Sequence, residues 1–354
     1  MNNSTLKKTA NYFRCIGSLY ETSLKLEDVD IKLKDKDGND AGKVAGQRIM
    51  GNIAVKINSG VQTFNVYFQN LNSRLDDNGD AVESRQWPMA LSMLEWNPQL
   101  NGNKDMPNTM VNVEGVIAIN DYVNQQGKVS STLRWRVGKA SSSVEPDAER
   151  GTTLEVTAYV DAIKPEIIKE EETGRLKVTL YGADNNGACF PIDCIVEKDD
   201  ADDFQDAIAV GDTSAFTVDV ACRHVGKKEN GKKAFGRAGR IAVNTGFDVT
   251  ELVIVGSDGA IEEPDEDMLV DDEGNAIEDK SGYINPKAMK LAIKVRAEKL
   301  AELEKNPPAK KGGTQASLRD KKEQARKAKV KSEPKKSEVP WDDDDPFDDI
   351  DDDI

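Results

Sequence analysis

Apolar and polar positions alternate with a period of two through most of residues 11–257, the pattern of half-buried strands. Residues 11–34, NYFRCIGSLYETSLKLEDVDIKLK, mix aromatic and β-branched side chains and predict a long or bent first strand, which DKDGNDAG closes with a turn. RIMGNIAVKI and VQTFNVYFQNL, separated by Ser59-Gly60, form the clearest predicted hairpin. Trp87-Pro88 opens a short predicted helix within 83–96, because proline is tolerated in a first helical turn. TMVNVEGVIAINDYV and KVSSTLRWRVGKA then return to strand character.

The polar stretch ASSSVEPDAERG reads as a domain boundary, and the pattern restarts after it. TTLEVTAYVDAI, GRLKVTLYGAD and GACFPIDCIVE predict three strands, the third at an edge or bulge because of Pro191. DDADDFQDAIAV predicts a short helix with an acidic first turn, and GDTSAFTVDVACRHV and FDVTELVIVG two further strands. This order of three strands, a helix and two strands is what a five-stranded Greek-key barrel of the OB type requires. The expected fold class is therefore mainly β: tandem OB-like Greek-key barrels with a disordered C-terminal tail. The expected layout is an OB-like β domain with a short helical insertion at 1–140 and an OB-like β barrel at 151–257. An acidic linker with a helix follows at 258–309, then a basic disordered linker at 310–340 and an acidic interaction tip at 341–354. The helix segment INPKAMKLAIKVRAEKLAELEKN puts Met289, Ala292, Ile293, Leu300 and Leu303 roughly on one side, and the pattern leaves open whether it packs, dimerises or is only nascent.

Composition narrows the function classes. With 38% apolar and 6% aromatic residues in 354, the chain supports ordinary cores but not one core running throughout. It has no run approaching the ~20 apolar residues of a membrane helix, and MNNSTLKKTANYF lacks the apolar segment of a signal peptide, so a cytoplasmic protein without membrane partners is expected. A single histidine, His224, and four scattered cysteines, with no glycine-rich phosphate loop or Ser-His-Asp arrangement, point away from enzymatic chemistry. No catalytic residue, metal ligand or cofactor is expected. Cys189 and Cys194, five apart in a strand-like run, should point to opposite faces as buried structural residues.

The net charge of -16 would ordinarily argue against nucleic acid, but it is an average over unlike parts. Residues 1–250 carry 30 basic and 36 acidic side chains, residues 251–279 carry 12 acids and no base, and residues 310–336 carry 11 bases against 3 acids. The last fourteen residues hold nine Asp. Within the folded part, residues 222–240, CRHVGKKENGKKAFGRAGR, bring Arg223, Lys227, Lys228, Lys232, Lys233, Arg237 and Arg240 together around Phe235 and four glycines, with Glu229 the one acid. Such a loop suits a phosphate backbone, and an inserted aromatic can stack on a base. Tyr12, Arg14 and Tyr20 in the first strand, Tyr67 and Arg74 in and after VQTFNVYF, and Arg134 and Arg136 in TLRWRV complete the expected DNA-binding set. Alternation puts Phe64, Val66, Phe68 and Trp135 toward the core, which leaves Tyr67 and the two arginines outward.

The tip is Trp341, Asp342, Asp343, Asp344, Asp345, Pro346, Phe347, Asp348, Asp349, Ile350, Asp351, Asp352, Asp353 and Ile354. Apolar anchors framed by charge are what a docking peptide needs and a solvating tail does not. WDDDDPFDDIDDDI, with the cationic loop and the strand order, resembles the single-stranded DNA-binding proteins of bacteria and their phages. Bacterial members end in an aspartate run followed by Ile-Pro-Phe; here Pro346-Phe347 is internal and the chain ends in Ile354. Two tandem domains in so long a chain look more like a phage member. The resemblance implies binding and protection of single-stranded DNA with little sequence preference during replication, recombination or repair. It also implies recruitment of a polymerase, helicase, primase or recombinase through the tip. The alternative is a phage structural or assembly protein with β domains, which would need neither the basic loop nor the aromatic tip.

Overall fold

The alternating segments form eleven strands in the computed structural model, which describes residues 6, 8–124, 127–145, 147–168, 170–184, 188–225, 247–264 and 282–305. In chain order these are β1 (Asn11–Thr22), β2 (Lys25–Lys34), β3 (Asp40–Ile57), β4 (Gly60–Gln69), β5 (Met110–Val123), β6 (Val129–Ser141), β7 (Gly151–Ile168), β8 (Glu171–Ala183), β9 (Cys189–Val196), β10 (Thr213–Val225) and β11 (Phe247–Ser257). Helix α1 (Trp87–Ser92) lies between β4 and β5, α2 (Ala201–Ala207) between β9 and β10, and α3 (Pro286–Lys305) after β11. The chain divides into two units, Met1–Asn306 and Pro307–Ile354, and every described residue falls in the first. The basic linker and the tip lie outside the described residues.

The expectation of tandem OB-like Greek-key barrels is corrected here. All eleven strands are hydrogen-bonded into one sheet, in the order β10-β11-β9-β8-β7-β1-β5-β6-β4-β3-β2, and its ring of strands does not form a barrel. The physical reason lies in two pairings. Returning from β9 to β11 rests on one parallel pair, Ile195↔Val253, and from β4 to β6 on another, Asn65↔Arg136. A barrel needs a continuous ladder at every junction, and one pair is not a ladder. Between the two halves the opposite holds, since β1 runs antiparallel to β7 from Asn11↔Val156 to Ile16↔Gly151.

The first predicted strand also divides. It ends at Thr22, and residues 25–34 fold back as β2 on the outer half of β3. That half of β3, residues 40–45, is exposed throughout, so no apolar alternation announces it. β1 can pair with β3 as well as β5 because residue 17 is glycine: a Cβ there would lie 2.5 Å from the Lys56 carbonyl oxygen. Contrary to the composition argument, one contiguous cluster of buried apolar residues, from Phe13 to Ile254, runs through both halves. Cys194 belongs to that cluster, while Cys189, on the opposite face of β9, packs with Tyr159, Ile284 and Met289 beneath α3. Burial pushes the Cys15 thiol up to about 12 and the Cys194 thiol up as well, which disfavours the thiolate at both.

Helix α3 is a packing element. Asn285 caps it, its Oδ1 accepting from the backbone N–H groups of Lys287 and Ala288, and Met289 is fully buried. One turn beyond Ile293, Arg296 clasps Asp121 of β5 with two hydrogen bonds of 2.8 and 2.7 Å. Burial works to raise the Asp121 carboxyl, but the Arg296 guanidinium and the Ser131 hydroxyl outweigh it and hold it below the usual range.

Candidate nucleic-acid interface

The outward positions of β1, β5, β6 and β4 face solvent, and the side chains beneath them pack together in the core. Phe13 of β1 stacks on Phe64 of β4 at a centroid distance of 5.2 Å and meets Trp135 of β6 edge-on at 5.1 Å. Each of these rings is buried, and burial of such a ring contributes about 1.5–3 kcal/mol. With their neighbours locked inward, Tyr12 and Arg14, Arg134 and Arg136, and Tyr67 point out.

Register relates them through neighbouring strands. Arg14 is opposite Glu114 of β5, Glu114 opposite Lys139 of β6, Val116 opposite Arg136, and Arg136 beside Asn65 of β4, two residues from Tyr67. Tyr12 is 40% and Tyr67 55% exposed, which leaves ring surface for stacking. Among the described residues, neither Arg134 nor Arg136 has a carboxylate within 4 Å, so their charge is not spent inside the protein.

Glu114 and Lys139 sit within this surface and were not among the residues expected from the sequence. The Glu114 carboxylate accepts from Asn112 Nδ2 at 2.9 Å and lies 3.4 Å from Lys139 Nζ, while Asn112 Oδ1 accepts from Arg14 Nε at 3.3 Å. Burial works to raise the Glu114 carboxyl, but hydrogen bonds from Tyr12 and Asn112 and the Lys139 ammonium outweigh it, and the net shift is downward. The Tyr12 phenol is raised, first by burial and then by donating to this carboxylate. Glu114 therefore orients Tyr12 and, through Asn112, Arg14. Strand alternation marks Glu114 as outward, but only the β5–β6 register reveals what it touches.

Other expected residues are not brought to this surface. Tyr20 is half-buried beyond a register shift in β1, where its carbonyl accepts from the Leu100 N–H at 2.7 Å. Arg74 is exposed and bridged to Lys34 at the end of β2. The backbone of Arg223 lies in β10 opposite Val249, and its side chain is not described. Lys227, Lys228, Lys232, Lys233, Phe235, Arg237 and Arg240 lie outside the described residues, as do residues 341–354. Among the described residues, no group of His, Cys, Asp and Glu could hold a metal ion, and no helix is long and apolar enough to cross a membrane.

Comparison with known proteins places the sequence. Residues 21–281 match the model of the YorF family, and the chain belongs to that family. No curated protein sequence matches it. Among solved structures, it is distantly similar to the wild-type single-stranded DNA binding protein from Thermus aquaticus, at 12% identity and a TM-score of 0.37, over 73% of this chain and 97% of that one. A deletion mutant of the same Thermus aquaticus protein superposes with a TM-score of 0.36 at 12% identity, over 73% of this chain and 98% of that one. Likeness of that degree says nothing of what this chain binds.

Proposed function

We propose that this member of the YorF family binds and protects single-stranded DNA with little sequence preference, during replication, recombination or repair, and is not an enzyme. The observation that carries the reading is the set of outward, exposed side chains on β1, β6 and β4. Tyr12 and Tyr67 expose ring surface, and Arg134 and Arg136, opposite Ala118 and Val116 of β5, have no carboxylate within 4 Å among the described residues. Cations track the phosphates, and each stacked base contributes about 1–3 kcal/mol without reading sequence. The cationic segment 223–240 supplies further phosphate contacts, and the acidic tip recruits replication or recombination enzymes through Trp341, Phe347 and Ile350. The tip and the length of the chain favour a bacteriophage protein acting in the cytoplasm of its bacterial host.

The test is a fluorescence titration with oligo-dT at low salt, using the full chain and a variant lacking 341–354. Both should bind, the shortened chain as tightly or more tightly, and duplex DNA should bind much more weakly; pull-down of replication or recombination enzymes should be lost with the tip. Absence of oligo-dT binding by both proteins would overturn the reading. Glu114→Gln removes the carboxylate from the middle of the surface while keeping its shape. It should raise oligo-dT affinity about threefold, the scale of one surface charge interaction, in the same titration; an unchanged affinity would place the strand away from Tyr12 and Arg14.

A further inference from the structure

Where the two halves of the sheet meet, β1, the β3–β4 turn, the start of β7 and β10 enclose a half-open cleft of about 390 Å³. Its walls are set by hydrogen bonds across the junction. The Ser59 hydroxyl donates to the Val220 carbonyl at 3.0 Å, the Asn58 N–H donates to the Arg150 carbonyl at 3.4 Å, and the β1–β7 ladder holds Arg14 opposite Thr153. Two guanidinium groups line the cleft, Arg14 and Arg150, and among the described residues neither has a carboxylate within 4 Å. Two acids also line it, Glu149 and Asp219, and the Asp219 carboxylate accepts from the Thr153 hydroxyl at 2.8 Å. The lining thus balances two cations with two acids, but the Asp219 carboxylate is engaged by Thr153 whereas both arginines lack a carboxylate within 4 Å among the described residues. A guanidinium fork matches the oxygens of a phosphate.

The place of the cleft suggests which phosphate. A single row of register partners runs Lys139–Glu114–Arg14–Thr153–Asp219 across β6, β5, β1, β7 and β10. Arg14 thus belongs both to the outward surface described above and to the cleft. We propose that the cleft is a phosphodiester seat, where a bound single strand passes from the surface of β1, β5 and β6 onto that of β7 and β10. This rests on the single-stranded DNA reading and adds a path to it. The two halves then form one continuous track rather than two independent sites, and Arg150 contributes only to strands long enough to reach it.

The test is Arg150→Ala, an exposed position, with circular dichroism and thermal melting confirming an unchanged fold. Oligo-dT of about 8 nucleotides, within the range of single-strand site sizes, and of about 30, beyond it, is titrated at several salt concentrations. For the long strand, the slope of log affinity against log salt should fall by about 0.7, the value for one lost phosphate contact on a single strand. Its affinity at low salt should fall severalfold, while the short strand loses less than about twofold. A slope unchanged for the long strand overturns the seat while leaving single-strand binding intact. Binding of neither strand by the unsubstituted protein overturns both readings. Calorimetry with thymidine monophosphate and with inorganic phosphate forms the second arm. Arg150-dependent binding of either, with the long-strand slope unchanged, would identify a small-molecule site and overturn the path.

Discussion

Replacing Arg134 and Arg136 together by glutamate is expected to lower oligo-dT affinity at low salt on the order of 100-fold. Each substitution removes a cation and adds an anion on the surface where Tyr12, Arg14 and Tyr67 also emerge. Loss of two phosphate contacts should also flatten the salt dependence by about 1.4 in slope. The fold should survive, because both side chains are exposed and Trp135 between them carries the packing of β6. Fluorescence anisotropy against salt, beside a thermal melt, reads both effects. Unchanged affinity in a folded variant would move the interaction off this surface, with the cationic segment 223–240 as the remaining candidate.

The largest effect on stability is expected at Arg175 of β8. Its guanidinium is buried with the carboxylates of Glu166 of β7 and Glu251 of β11, at 3.3 and 2.8 Å, and reaches the half-exposed Glu197 at 2.9 Å. Burial opposes the charge on Arg175, but the hydrogen bond and attraction from Glu251, with Glu197 and Glu166, outweigh it and raise its pKa. Arg175→Met would leave Glu166 and Glu251 buried without the cation they share, and the cost of removing one partner of a buried ion pair is about 3–5 kcal/mol. Glu197→Gln should cost less than about 1 kcal/mol, since water already screens that carboxylate. Urea unfolding of the two variants separates these outcomes. A loss below about 1 kcal/mol for Arg175→Met would show that the cluster is hydrated and contributes little.

Much of this molecule is legible where the physics is local. The alternation in VQTFNVYF places Phe64, Val66 and Phe68 inward and Tyr67 outward, and LRWRV places Trp135 inward between two outward arginines. The odd spacing of Cys189 and Cys194 puts them on opposite faces of β9, in two separate apolar clusters. Boundaries were less legible. Residues 11–34 have continuous strand character, and the backbone hydrogen bond from Ser23 to the Asn52 carbonyl, which accompanies the turn out of β1, is made to a residue 29 positions away. The outward positions of Tyr12, Arg14, Tyr67, Arg134 and Arg136 were legible from alternation, whereas the half-buried place of Tyr20 at a register shift and the bridge of Arg74 to Lys34 depend on pairing. Glu114 and Lys139 stand opposite each other only because β5 and β6 pair in one particular register.

From sequence alone came the strand content, the inward and outward sets, the cationic segment and the acidic, aromatic-bearing tip, because each depends on neighbours one to four residues apart. How the strands join was decided by tertiary structure. The same order of strands and helices is compatible with two separate closed barrels and with the single sheet observed, and the choice lies in contacts between residues far apart in the chain. Gly17 lets β1 approach the Lys56 carbonyl, Arg14 meets Thr153 across the junction, and one pair each joins β4 to β6 and β9 to β11. Periodicity reports which face a side chain takes, but the energy of pairing belongs to the partner strand, and no local pattern names that partner.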